Sequence, residues 1–213
     1  MTSLRRRSDS TELVSDPFER ICNAMKRVDR AAFVPANLTP YARSEAALPI
    51  GYGKTLSKPS TVAFMLSAVE ISPGFQVLEV GSGSGYVLAV LAELGARAHG
   101  MENIPSLAQS ARKRLDRLGY PGVLLKCGDG KSGWPDYAPF DAILVSAAML
   151  GEVPRALLDQ LKSGGTLIAP VAVKAGADGI MQRFEIWTAL QEADGTRRYL
   201  GESAGECEFV LAD

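Results

Sequence analysis

The chain has 213 residues, of which 23 are basic and 24 acidic, for a formal net charge of -1. That length fits one domain able to bury about 70% of its unfolded surface, and the balanced charge excludes a bulk positive field for nucleic acid or an anionic membrane. Glycine accounts for 21 residues, above the usual share of about 7%, which points to tight loops near a ligand.

Cys22, Cys127 and Cys207 lie far apart without a Cys-x-x-Cys pair, and His99 is the single histidine. Both a disulfide framework and a structural zinc site are therefore disfavoured. A reduced, cytoplasmic monomer with no metal and no nucleic-acid or membrane partner is expected. The densest apolar run, Val87 to Leu94, falls short of the ~20 residues that span a bilayer. Arg5, Arg6 and Arg7 are followed by polar residues rather than an apolar signal core. Residues 1–14 thus read as a flexible tail ahead of a single domain over 15–213, divided at about 72 and 173.

The first helix signal is Asp16-Pro17-Phe18-Glu19, a capping Asp, a Pro at the first helical position and a Glu three residues after the cap. Phe18, Ile21, Cys22, Met25 and Val28 follow at helical spacing. From Phe33 to Ser57 no period is sustained, and a long irregular segment with this apolar content reads as functional. A second helix is predicted from Pro59 to about Glu70, with Val62, Met65, Leu66 and Val69 on one face. After Ser72-Pro73-Gly74 the pattern alternates. Strands are predicted at 75–80, 96–102, 123–127, 141–145 and 166–171, with helices at 86–94, 105–118 and 154–161. This alternation implies a parallel sheet covered by helices on both faces. Beyond Val173 the helices stop, and strands at 182–190 and 206–211, with Ala193-Asp194-Gly195 as a turn, predict an antiparallel edge.

Val77-Leu78-Glu79-Val80-Gly81-Ser82-Gly83-Ser84-Gly85-Tyr86 is a strand running into a glycine loop that opens a helix. Its glycines permit sharp turning and close backbone approach to a ligand. Tyr86 stands where a dinucleotide fingerprint has its third glycine, and no Gly-Lys-Ser/Thr follows, so the loop suits neither NAD nor a nucleoside triphosphate. Glu102 ends the next strand, where a carboxylate can accept from both ribose hydroxyls. Asp129 and Gly130 follow the third strand, where Asp129 suits an exocyclic adenine amine or a simple turn equally well. Three successive strand ends thus suit adenosine without phosphates.

These residues resemble the protein-L-isoaspartate O-methyltransferase family of class I S-adenosylmethionine-dependent methyltransferases, over roughly 16–211. The general features are the loop Glu79 to Gly85 and Glu102. More specific are Arg30-Ala31-Ala32-Phe33-Val34-Pro35, the run Leu48 to Ser57, Gly128-Asp129-Gly130 with Gly133-Trp134, Ala138 to Ile143, and Pro154 to Gly165. The resemblance implies a Rossmann-like α/β sheet, mostly parallel with an antiparallel C-terminal edge. It also implies methyl transfer from S-adenosyl-L-methionine to the α-carboxylate of L-isoaspartyl residues in damaged proteins, initiating repair through a succinimide.

By the same resemblance Ser57 is the active-site hydroxyl, and its alternative use is to cap the helix entering at Pro59. Glu79, Gly81, Ser82, Gly83, Gly85, Glu102, Asp129 and Gly130 form the expected cofactor set. Ile50, Gly51, Gly53, Lys54, Thr55, Ser146, Ala147 and Ala148 form the expected acceptor set. An isoaspartyl carboxylate, with a pKa of about 4, is already ionised at neutral pH and needs no general base. This agrees with a His99 buried in a strand as a structural residue. Departures from the family pattern fall on the acceptor side: Lys54 for Gln, Glu45 for Asp, Met149 for Pro, and Glu208-Phe209-Val210-Leu211 for Arg-Phe-Val-Pro. Two other functions stay open on the residues: carboxyl methylation of an aspartate in a dedicated peptide, and a nonenzymatic module that binds S-adenosylmethionine.

Overall fold

The computed structural model describes residues 16–175 and 179–212. The tail predicted over 1–14 lies outside the described residues. Helix α1, Pro17–Arg27, starts as its sequence requires: the Asp16 carboxylate accepts from the Phe18 N–H at 3.2 Å, and Pro17 occupies the first turn. Lys26 and Arg27 close it against the negative end of the helix dipole. Two 3-10 turns follow, Arg30–Phe33 and Ala36–Tyr41.

The segment expected to be irregular then forms a hairpin, β1 (Leu48–Gly51) and β2 (Lys54–Leu56). Gly51 pairs with Lys54, and the two residues between them, Tyr52 and Gly53, both have positive φ. That is the primed turn whose twist matches paired strands. Pro49 and a register shift between Pro49 and Gly51 hide the alternation that would have announced these strands. Helix α2, Pro59–Ala68, buries Val62, Met65 and Leu66 as predicted.

The remaining elements are β3 (Gln76–Val80), α3 (Tyr86–Glu93), β4 (Arg97–Glu102), α4 (Pro105–Arg117) and β5 (Leu124–Cys127). After the 3-10 turns Gly130–Ser132 and Pro135–Tyr137 come β6 (Phe140–Val145), β7 (Met149–Leu150) and α5 (Arg155–Leu158). The chain closes with β8 (Leu161–Ala175), β9 (Gly179–Gln191) and β10 (Arg197–Glu206). The sheet order is β10-β9-β8-β6-β3-β4-β5, with β7 beside β8. Strands β3 to β6 and β8 are parallel, whereas β9 and β10 run antiparallel.

Alternation along the strands divides the core. Val77, Ala142, Leu144 and Ile168 face α1 to α4 through Leu66, Leu88, Leu91 and Leu115, while Leu78, Ile143, Val145 and Leu167 face Leu157, Leu158, Trp134 and Phe140. Each fully buried side chain of this kind contributes ~1.5–3 kcal/mol of transfer free energy, which holds the helices to the parallel strands. Among the described residues no helix is long and apolar enough to cross a membrane.

The last strand differs from expectation. It spans Arg197–Glu206, and 207–211 has only a single bridge, Leu211 to Ala148. Strand β10 is an edge whose side chains are mostly exposed, so burial imposes no alternation on its sequence. The helix predicted over 154–161 is also shorter, because Leu161 already pairs with Phe140 at the start of β8.

Candidate active site

Chain order reverses across β3, since β4 and β5 lie on one side of it and β6 and β8 on the other. In open α/β sheets, ligands bind beyond the carboxyl ends at such a switch point. Register brings those ends level: Val80 pairs with Met101 and with Val145, and Glu102 pairs with Cys127. A cleft of about 570 Å³ opens there.

The glycine loop is tied to β4 by its backbone. The N–H groups of Gly81 and Ser82 both donate to the Met101 carbonyl, at 2.8 and 3.1 Å. The Gly83 N–H donates to Glu102 Oε2 at 2.8 Å, and the Ile104 N–H donates to Glu102 Oε1 at 3.0 Å. Glu102 is buried, and each of its oxygens, having taken one bond, keeps acceptor capacity for a ligand. Gly83 has φ +51°, and a Cβ there would sit 2.9 Å from Ile50 Cδ1. Ile50 of the β1–β2 hairpin thus rests on the loop at Gly83, where the positive φ favours glycine.

Glu79 lies beneath the loop, 1% exposed. Ser146 Oγ donates to its Oε1 at 2.8 Å, while Oε2 is buried without a partner. Burial, opposed by the Ser146 bond and reinforced by the Glu102 charge, pushes the Glu79 carboxyl up to about 8. A side chamber of about 30 Å³ adjoins it, lined also by Ser82, Ser84 and Ser57, and Ser84 Oγ is likewise buried and unpartnered. Asp129 caps a 3-10 turn by accepting from the Lys131 N–H at 2.9 Å and lines the cleft. The turn and cleft positions expected for Asp129 are thus both present.

On the opposite wall stand Ile50, Lys54, Thr55 and Ser57 from the hairpin, with Ser146 and Ala147 after β6. Gly81, Gly83, Glu102, Asp129 and Gly130 line the cleft with them. Not every expected residue does. Gly51 and Gly53 are exposed on the hairpin, Gly85 has φ +88° as the N-cap of α3, and Ala148 is fully buried beside the 210–212 backbone. Ser82 and Glu79 line only the side chamber.

Ser57 does not cap α2. The cap position is Lys58, which makes no side-chain bond, and the Ser60 N–H instead donates to Glu45 Oε1 at 2.9 Å. The Ser60 bonds hold the Glu45 carboxyl below its usual range. His99 is buried and sits 4.7 to 5.9 Å from the rings of Tyr137, Phe140 and Trp134, with Nδ1 3.0 Å from the Arg97 carbonyl. Burial lowers its pKa, and it is not among the residues that line the cleft.

Two parts of the site were only partly read, or not read, from the sequence. The segment 206–212, of which 206–211 was expected to be a strand with 208–211 on the acceptor side, is a wall of the cleft. It is pinned by Gln182, whose side chain both accepts from the Phe209 N–H and donates to the Phe209 carbonyl, and by bonds from Ala148 to Val210 and from Ala212 to Ala148. Arg30 is the other. It lies in a quoted motif, yet nothing in the local spacing announces that its guanidinium reaches the carbonyls of Ala42, Ala46 and Ser57.

The family model for "Protein-L-isoaspartate(D-aspartate) O-methyltransferase (PCMT)" matches residues 11–197. The chain belongs to this family. A protein-L-isoaspartate O-methyltransferase of Synechococcus sp. is 48% identical over 197 residues, covering 92% of this chain and 78% of the relative. One from Methylorubrum populi is 51% identical over 156 residues, 73% of each chain. Among solved structures, a protein-L-isoaspartate O-methyltransferase superposes with a TM-score of 0.77 at 26% identity, covering 92% of this chain but 61% of that one. A Plasmodium falciparum chain described as the same enzyme, solved with S-adenosyl-L-homocysteine, gives 0.73 at 22% identity, with 94% and 92% covered.

The cofactor of the family is S-adenosyl-L-methionine, and the residues present fit it. Glu102 lines the cleft with spare acceptor capacity for a diol, the loop glycines turn through positive φ, and the buried Glu79 Oε2 below the loop has no partner within the protein.

Proposed function

We propose that the glycine loop, Glu102, Asp129 and Gly130 hold S-adenosylmethionine while Ser57 and the β1–β2 hairpin present the acceptor. The reaction is that of the family, methyl transfer to the α-carboxylate of an L-isoaspartyl residue in a damaged protein, which opens the route back through a succinimide. The observation that carries the assignment of roles is the seating of the hairpin on the cofactor loop, Ile50 against Gly83, which puts Ser57 and Glu102 on one cleft.

Bound S-adenosylmethionine supplies the methyl group as a sulfonium electrophile. The acceptor carboxylate arrives ionised, so no residue has to remove a proton. Ser57 donates its hydroxyl hydrogen to that carboxylate and aims the attacking oxygen. Alignment of this kind supplies much of the rate by replacing a random encounter with a fixed one. The 206–212 wall and the hairpin limit water at the reacting atoms. Residues 15–72 form the acceptor side of a single methyltransferase domain, 73–173 the cofactor core and 174–213 its closing strands. The enzyme works on protein chains as a monomer in the cytoplasm, without nucleic acid or membrane.

The test is labelled methyl transfer to matched peptides containing isoaspartate or aspartate. Label only on the isoaspartyl peptide supports the reading; label only on aspartate, or on neither despite cofactor binding, sinks it. Ser57→Ala is expected to reduce kcat about 100-fold, the scale of a lost positioning contact, with S-adenosylhomocysteine affinity unchanged. Full turnover in this variant would remove Ser57 from its role.

A further inference from the structure

Arg30 sits in the 3-10 turn after α1, 7% exposed. Its Nη1 donates to the Ala42 carbonyl at 2.7 Å and more distantly to Ser44 at 3.5 Å. Its Nη2 donates to the carbonyls of Ala46 and Ser57, both at 3.0 Å. Nε is buried without a partner. Among the described residues no carboxylate lies within ion-pair distance of this guanidinium; its counter-charge is a ring of carbonyl dipoles, with Glu45 farther off.

Those carbonyls bracket the whole hairpin. Ala42, Ser44 and Ala46 lead into β1, and Ser57 leaves β2. One planar group thus joins the entry and exit of the segment that carries Ile50, Lys54, Thr55 and Ser57, beyond the β1–β2 pairing. Only a fork with several donors in fixed directions reaches both arms, and an ammonium cannot reproduce it. Glu45, in the strap between Ser44 and Ala46, caps α2 through Ser60, so the same strap also sets the start of α2.

We propose that Arg30 is a positioning residue for the acceptor: its guanidinium clamps residues 42–46 to Ser57 and so fixes the Ser57 hydroxyl against the cofactor. This rests on the reading of Ser57 and the hairpin as the acceptor side. Arg30 bonds none of Glu102, Asp129 and the glycine loop, so releasing the clamp leaves cofactor binding intact while the acceptor drifts.

Arg30→Lys and Arg30→Met test it through peptide kinetics, calorimetric titration with S-adenosylhomocysteine, and hydrogen exchange. Loss of the clamp is expected to lower kcat/KM for an isoaspartyl peptide about 10- to 100-fold, since a shift near 1 Å has that scale of effect, with cofactor affinity within about twofold. Amides of 42–57 exchange faster while those of β3 do not, and Arg30→Lys recovers part of the loss. Unchanged peptide kinetics, a parallel fall in cofactor affinity, or failure of both variants to fold would overturn the proposal, the last two by making Arg30 a general structural residue. Absence of isoaspartyl turnover in the wild-type enzyme overturns the proposed function instead, and the exchange comparison at 42–57 still decides the clamp.

Discussion

The cofactor side of the cleft hangs on the ladder of β3, β4, β5 and β6, whereas the acceptor side hangs on side chains that reach backbone groups far along the chain. Glu102 and the glycine loop are fixed across the adjacent strand ends of β3 and β4, by the Gly83 N–H on Glu102 and the Gly81 and Ser82 N–H groups on the Met101 carbonyl, with the Ile104 N–H two residues from Glu102. The hairpin and the 206–212 wall are held by Arg30, Gln182, Glu45 and Lys54, across separations of 15 to 157 residues for the bonds of Gln182, Glu45 and Lys54. Ladder bonds thus hold the cofactor side as one unit, while single side chains hold the acceptor side, where a bonded carbonyl or N–H imposes little on the identity of the residue that carries it.

The sharpest way to break the comparison is Glu102→Ala. It removes the acceptor for two backbone N–H groups as well as for the ligand, and each bond to a charged acceptor is worth about 1.5 to 3 kcal/mol. Calorimetry with S-adenosylhomocysteine is expected to show a loss of at least about 100-fold; retained affinity would refute the ribose assignment.

Glu79 probes the cofactor side through pH. Burial raises its carboxyl from 4.5 to about 8, so between those values the folded protein keeps a proton that the unfolded chain has released. The stability linked to that proton is full below about pH 4.5 and is lost as the pH rises through 8. Glu79→Gln cannot ionise, and its Tm is expected to fall less than the wild-type Tm between about pH 5 and pH 8. Parallel Tm curves would show that Glu79 is ionised throughout.

On the acceptor side, Gln182→Ala cuts both bonds to Phe209. With each neutral bond worth about 0.5 to 1.5 kcal/mol, peptide KM should rise about three- to tenfold while cofactor affinity holds. A change in cofactor affinity instead would merge the two sides. Lys54→Gln, which removes the charge and keeps a polar side chain, has the smallest effect. Lys54 Nζ reaches the Leu211 carbonyl at 3.4 Å from a partly exposed position, and surface contacts of this kind contribute about 0 to 1 kcal/mol, so peptide KM should move less than about threefold. A larger shift would make Lys54 a direct acceptor contact.

How much was legible follows the same division. The strand-loop-helix at 77–86, Glu102 and the helix starts at Pro17, Pro59 and Pro105 could be read because each depends on neighbours in the chain: glycine conformations, caps and alternation. The hairpin at 48–56 was hidden by Pro49 and its register shift. The last strand was misplaced because the exposed edge at 197–206 has no buried face to pattern it. Capping α2, the alternative use of Ser57 that local preference offers, falls instead to Glu45 from a separate strap.

By itself the sequence determined the alternation of strands and helices over most of 59–190, the glycine loop and the carboxylates at the strand ends, since period, caps and positive-φ positions act within a few residues. Only the tertiary structure decided that the hairpin seats Ile50 on Gly83, that Arg30 joins the two arms of that hairpin, and that 206–212 walls the cleft. Those are hydrogen bonds and contacts between distant segments, made to backbone atoms that every residue shares, and a residue type carries no mark of which distant carbonyl it will meet.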